Sequence, residues 1–226
     1  MRRSEIDGIP RDGDISFRQR AVEPDRTALL IIDLQKGLCD DKQLLSDPAQ
    51  AYLHHRLHNS VIPNGQRLIA ACRTAGVEVM YTVIECLTLD GRDRSLDYKI
   101  SGLFAAKGSR EAEVIDALAP LPNDIVIPKT SSSLFNSTNF DYVLRNLGVE
   151  YLLVMGMVTD QCVETTVRDG CDRGFLMTVI EDACATHDER RHEESLKGIK
   201  GYCRRRSTAE LIGELQPGEH ATRNER

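Results

Sequence analysis

The chain has 226 residues, 41% hydrophobic and 28% charged, enough to bury a full core as one domain. A formal net charge of −6 argues against an electrostatic nucleic-acid binder, and the short run Arg204–Arg206 does not reverse it. No apolar stretch reaches membrane-spanning length, and the opening MRRSEIDGIPRDGD holds no apolar signal core, so the sequence predicts a cytoplasmic protein with no membrane partner.

Residues 1–26 are polar, charged and rich in turn formers, and are expected to drape as an arm over a domain spanning 27–226. TALLIID (27–33) follows, a short apolar run ending in an acid. VEVMYTVIE (77–85), DIVIPK (124–129), YLLVMGM (151–157) and FLMTVIED (175–182) repeat the pattern, which suits strands of a parallel sheet buried on both faces. Helical patterns lie between them. Residues 63–75 carry Leu68, Ile69 and Cys72 on one face and stop at Gly76. Ser109 is placed to cap a helix bearing Val114, Ile115 and Leu118, and 139–147 ends at Gly148. Val163, Val167 and Cys171 recur every four residues in a helix ending by Gly174, and Ser207 with Glu210 forms a capping box near the C-terminus. Residues 37–60 read as a long polar connection, a lid or interface segment. The alternation predicts an α/β fold: a three-layer, doubly wound, Rossmann-like and mostly parallel sheet with helices on both faces.

Seven cysteines, an odd number with no CxxC pair, are neither a disulfide framework nor a zinc knuckle. In doubly wound sheets, ligands bind beyond the carboxyl ends of the strands. Asp33 ends the first strand, Lys129 ends the third, and Cys162 follows the fourth in the first turn of a helix. Unpaired backbone N–H groups and the helix dipole there favour negative charge, so a thiol at that place tends to ionise. Each residue has a plain alternative as a helix cap, a surface charge or a small core residue. The topology nevertheless brings an acid, a base and a thiol to one rim.

ALLIIDLQKGLC around Asp33, IVIPKTSSSLFNST around Lys129 and VMGMVTDQCVETTVRDG around Cys162 stand in the order and spacing of a known family. From about residue 25 to 215 the sequence resembles the isochorismatase-like cysteine hydrolases. That resemblance implies a catalytic triad of Asp33, Lys129 and Cys162. It implies a cis peptide between Met157 and Val158, with the backbone N–H groups of Val158 and Cys162 as an oxyanion hole. It also implies a homodimer or homotetramer. In this chemistry Asp33 takes the thiol proton, the thiolate attacks an amide-type carbonyl, and a thioester is later hydrolysed.

The nicotinamidases of this family hold a metal with an Asp and two His after the second strand. Here that stretch is IECLTLDGRDRSLDYK, with no His, so no metal and no cofactor is expected. His54, His55 and His58 precede the second strand and read as surface residues. Glu85, Arg92 and Arg94 follow that strand, where an arginine could clamp a substrate carboxylate or simply belong to a solvated loop. Tyr202 is a further candidate on the substrate side. The expectation is a metal-independent amidohydrolase acting on a small amide, ureide or N-carbamoyl compound. The alternatives are isochorismatase proper, which cleaves a vinyl ether, and a non-catalytic binding member of the fold.

Overall fold

The computed structural model describes residues 12–39 and 41–216. Six strands form one sheet: β1 (Thr27–Ile32), β2 (Glu78–Ile84), β3 (Ile125–Lys129), β4 (Tyr151–Met157), β5 (Leu176–Ala185) and β6 (Arg204–Arg206). Every pairing is parallel and the order is β3-β2-β1-β4-β5-β6, the doubly wound order with its switch point between β1 and β4. All residues of β1 and β4 are buried, as unbroken apolar runs require at the centre of a covered sheet.

The helices are α1 (Asp41–Ser46), α2 (Ala51–Arg56), α3 (Ile62–Ala75), α4 (Leu96–Ile100), α5 (Leu134–Ser137), α6 (Phe140–Asn146), α7 (Glu164–Asp172), α8 (Glu189–Gly198) and α9 (Thr208–Leu215). Strand alternation sorts them into two layers. Leu29, Ile31, Leu153 and Met155 face α2, α3 and α9, whereas Ala28, Leu30, Leu152 and Val154 face α5 to α8. α3 stops at Gly76, whose φ of +79° places it in the left-handed region that closes helices. The Ser207–Glu210 capping box is formed at the start of α9.

Two local expectations differ from the structure, and the structure adds one strand. The polar connection before α3 is mostly helical: α1 and α2 lead through a wide π-helical turn, Leu57–Val61, directly into α3, with Leu53 and Leu57 fully buried. The helix expected after Ser109 does not form. Val114 instead bridges antiparallel to Gln35, between two single 3₁₀ turns at Arg110–Ala112 and Asp116–Leu118. Arg204–Arg206 is an edge strand. Its buried Arg204 guanidinium donates to Thr178 Oγ1 at 3.2 Å and pairs with Glu214 at 3.0 Å, so ion pairing overrides the low strand propensity of three charges.

Of the expected arm, residues 1–11 lie outside the described residues, as do 217–226 at the other end. Residues 12–26 are fastened to the sheet: Val22 is buried, Glu23 accepts from the Tyr151 hydroxyl at 2.9 Å, and the Arg20 carbonyl accepts from Arg204 at 2.9 Å.

Candidate active site

The switch point leaves a crevice beyond the carboxyl ends of β1 and β4, and the chain fills it from three crossovers. Asp33 follows β1. It is the one non-glycine among the described residues with a left-handed backbone, φ +55°, and its N–H donates to the Thr82 carbonyl at 3.0 Å. This turn takes its side chain out of strand alternation. Lys129 is the last residue of β3, and its ammonium reaches Asp33 Oδ2 at 2.8 Å with both side chains essentially unexposed. Cys162 lies in a π-helical turn, Thr159–Val163, that runs into α7. Lys129 Nζ donates to Cys162 Sγ at 3.3 Å and to the Ser131 carbonyl at 3.1 Å. The acid, base and thiol named from strand ends thus meet in one buried cluster.

The Met157–Val158 peptide is cis, and Met157, Val158 and Cys162 all line the same cavity. Upstream, Gly156 has φ +123°, and a Cβ there would lie 2.1 Å from the Ile32 carbonyl oxygen. Only glycine lets β4 approach β1 this closely, which sets the spacing between the Cys162 turn and the Asp33 turn. Helix α8 fixes the Cys162 turn from outside. Arg191 donates to Asp160 at 2.6 Å, and the Ser195 hydroxyl donates to Glu164 at 2.6 Å with the Thr159 carbonyl oxygen 3.3 Å away. Arg56 can only donate, so it fixes His192 Nε2 as acceptor at 2.7 Å, leaving Nδ1–H to donate to Thr159 Oγ1 at 2.9 Å. Burial, with Arg56 beside it, pushes the His192 pKa down to about 4 and keeps that ring neutral.

Electrostatics correct one expectation. Burial is the largest influence on the Cys162 thiol, and the Asp33 charge adds to it. Together they outweigh Lys129 and push the pKa up to about 11, against the ionisation that the helix position alone favours. Burial likewise raises the Asp33 carboxyl against the opposing Lys129 charge. Burial alone would lower the Lys129 ammonium, but Asp33, Cys162 and Tyr98 raise it above the ordinary lysine value. Burial thus favours the neutral forms of both Asp33 and Cys162, while their charges hold Lys129 as an ammonium, and moving the thiol proton to Asp33 leaves the net charge of the cluster unchanged.

The cavity over Cys162 has a volume of about 560 Å³. Leu38, Leu44, Leu53 and Leu103 supply apolar wall, and Gln161 and His187 polar edge, with His187 Nδ1 2.9 Å from Gln50 Oε1. Two residues went unmarked in the sequence. The Tyr98 hydroxyl accepts from Lys129 Nζ at 2.9 Å and lies 3.9 Å from Cys162 Sγ. Gln35 ties β1 to β2 by accepting from the Ile84 N–H at 2.7 Å and donating to the Ile84 carbonyl at 3.0 Å. Both sit within or just beyond quoted motifs, but only tertiary contacts show what they do.

The substrate-side candidates do not converge on this cavity. Glu85 accepts from the Gly108 N–H at 2.7 Å, and Arg92 is largely exposed and paired with Asp90 at 3.0 Å. Arg94 donates to the Gly91 and Leu103 carbonyls at 3.0 Å each, so it braces the loop after β2. Tyr202 lines a groove at the amino ends of β4 and β5, with the Arg168 guanidinium 4.6 Å from its ring centroid. The rings of His54 and His58 lie 4.5 Å apart, and neither lines the cavity. Among the described residues no group of three or more His, Cys, Asp or Glu is arranged to hold a metal ion, and no helix is long and apolar enough to cross a membrane.

A model of the isochorismatase domain matches residues 27–212. The ureidoacrylate amidohydrolase RutB of Pantoea ananatis is 31% identical over 176 residues, covering 71% of this chain and 69% of that protein. Among solved structures, a cysteine hydrolase from Pseudomonas syringae pv. phaseolicola superposes with a TM-score of 0.75 at 29% identity, over 87% of this chain and 95% of its own. The N-carbamoylsarcosine amidase of Thermoplasma acidophilum shares the fold, with a TM-score of 0.66 and 24% identity over 81% of this chain and 96% of its own.

Proposed function

Because this chain belongs to the isochorismatase family of hydrolases, we propose that it cleaves a carbon–nitrogen bond of a small amide, ureide or N-carbamoyl compound through a Cys162 thioester. The observation that carries the reading is the buried contact of Lys129 with both Asp33, at 2.8 Å, and Cys162, at 3.3 Å, on the floor of the cavity. The similarity to a ureidoacrylate amidohydrolase supports the ureide class. The leucine wall supports a substrate with an apolar substituent beside its carbonyl group.

Asp33 takes the thiol proton as Cys162 Sγ bonds to the substrate carbonyl carbon. Lys129 holds the emerging thiolate, and the backbone N–H groups of Val158 and Cys162 receive the oxyanion. Such donors contribute about 3 kcal/mol each where they have been removed singly. Asp33 then returns its proton to the departing nitrogen as the C–N bond breaks, and an amine or ammonia leaves. Water attacks the thioester while giving a proton to Asp33, the C–S bond breaks, and the sulfur recovers that proton. The cycle uses these three side chains and no metal ion.

Release of ammonia or amine from a panel of ureides, N-carbamoyl compounds and simple amides tests the reading, with mass detection of an acyl adduct on Cys162. Turnover with a trapped adduct is expected. Turnover that survives Cys162→Ala, or vinyl-ether cleavage with no C–N cleavage, would overturn it.

A further inference from the structure

Lys129 has three N–H protons but four neighbours within reach: Asp33 Oδ2, Tyr98 Oη, the Ser131 carbonyl and Cys162 Sγ. It cannot serve all four at once. When Cys162 gives up its proton, the sulfur, only 5% exposed, becomes the most demanding acceptor of the set. A second donor there is worth far more than at a surface. Besides Cys162 itself, Tyr98 is the member of the cluster whose polar atom both accepts from Lys129 and carries a proton of its own.

Its placement follows from the loop after β2. Ser95 caps α4 by accepting the Tyr98 N–H at 3.2 Å, and the Ser95 N–H donates to the Thr130 carbonyl at 2.9 Å. The helix bearing Tyr98 is thereby tied to the residue next to Lys129. The ring is 2% exposed and the hydroxyl faces the sulfur at 3.9 Å. Because the hydroxyl oxygen already accepts from the ammonium, its own proton is directed away from Lys129, and Cys162 is the acceptor within range.

We propose that Tyr98 is a fourth catalytic residue, whose hydroxyl donates to the Cys162 sulfur as the thiolate forms and as it is expelled again from the thioester. No covalent bond to Tyr98 forms, and it keeps its proton throughout. Burial raises its pKa above that of ordinary tyrosine, which keeps it a donor where an ordinary tyrosine would begin to ionise. A distance of 3.9 Å is long for a thiol contact, and it is expected to shorten on the charged sulfur, as catalytic hydrogen bonds often do once charge develops.

The proposal rests on Cys162 being the nucleophile, but not on which C–N bond is cleaved, so its test needs no substrate. Alkylation of Cys162 by iodoacetamide is followed against pH in the wild type and in Tyr98→Phe, which keeps the ring and removes the donor. The variant is expected to alkylate about tenfold more slowly at a given pH below 9, its profile displaced upward. On any substrate identified, kcat falls by at least the same factor while KM stays within about twofold. Should Tyr98→Phe fold poorly, a ring-fluorinated tyrosine at position 98, a stronger donor, is expected to speed alkylation. Wild-type alkylation in Tyr98→Phe, or indifference to fluorination, overturns the proposal. Tyr98-dependent alkylation without any amide turnover would overturn the C–N reading and leave the role of Tyr98 standing.

Discussion

The two ends of the sheet carry cavities of similar size, about 560 Å³ at the carboxyl end and 490 Å³ at the amino end, and each is lined by a cysteine. Their surroundings differ. At the carboxyl end Cys162 touches a buried ammonium that is itself paired to a buried carboxylate. At the amino end Cys171 is half-buried beside Phe175 and Tyr202, and the guanidinium of Arg145 lies 4.9 Å from the centre of the Phe175 ring. Burial raises both thiols, so neither cavity volume nor thiol acidity separates the two ends. A buried ion pair in contact with the sulfur does. In a parallel sheet such a pair assembles where loops from several strands converge at the switch point.

The strongest way to break this contrast is to remove each sulfur in turn. Cys162→Ala should lower turnover by about 10⁴-fold or more, because Cys162 is the lining nucleophile in contact with the Lys129 ammonium. Cys171→Ala should leave turnover within about twofold. Comparable losses, measured as initial rates on purified and folded variants, would erase the distinction between the two ends.

A smaller effect tests the proton exchange. Asp33→Asn removes the general base and the general acid together, and a loss of about 10²–10⁴-fold is expected. The pH profile gives the sign. Asp33 acts as base only when ionised and its pKa is raised, so wild-type activity should fall as pH drops through a value above the ordinary aspartate range. That acid limb should be absent from the residual activity of Asp33→Asn. A limb that persists in the variant would assign it to another group.

The smallest expected effects belong to the residues outside the cavity. Arg92→Ala and Tyr202→Phe should each change kcat/KM by less than about twofold. A large rise in KM for Tyr202→Phe would show that the amino-end groove communicates with the site.

Sequence alone carried the central sheet because β1 to β5 are continuous apolar runs, and it carried the strand-end residues because topology fixes where strand ends go. It did not carry β6, since three consecutive arginines look like a solvated run until Arg204 meets Glu214 and Thr178. Tyr98 was hidden for a related reason. Its loop has no periodicity, and the helix bearing it is held by one backbone bond, Ser95 to Thr130, between segments 35 residues apart. The protonation of Cys162 is not legible locally, because helix geometry favours ionisation while the burial that opposes it comes from the whole fold.

The raised pKa of Cys162 also bears on how long the protein survives. Peroxide and other oxidants attack the thiolate far faster than the thiol, and over-oxidation to the sulfinic or sulfonic acid is not reversed by ordinary reductants. In the mechanism proposed above, a sulfur that is 5% exposed, whose pKa burial pushes up, and that ionises as its proton passes to Asp33 would spend little time in the vulnerable form. In that mechanism the desolvation that opposes ionisation of Cys162 would also act as a preservative between turnovers.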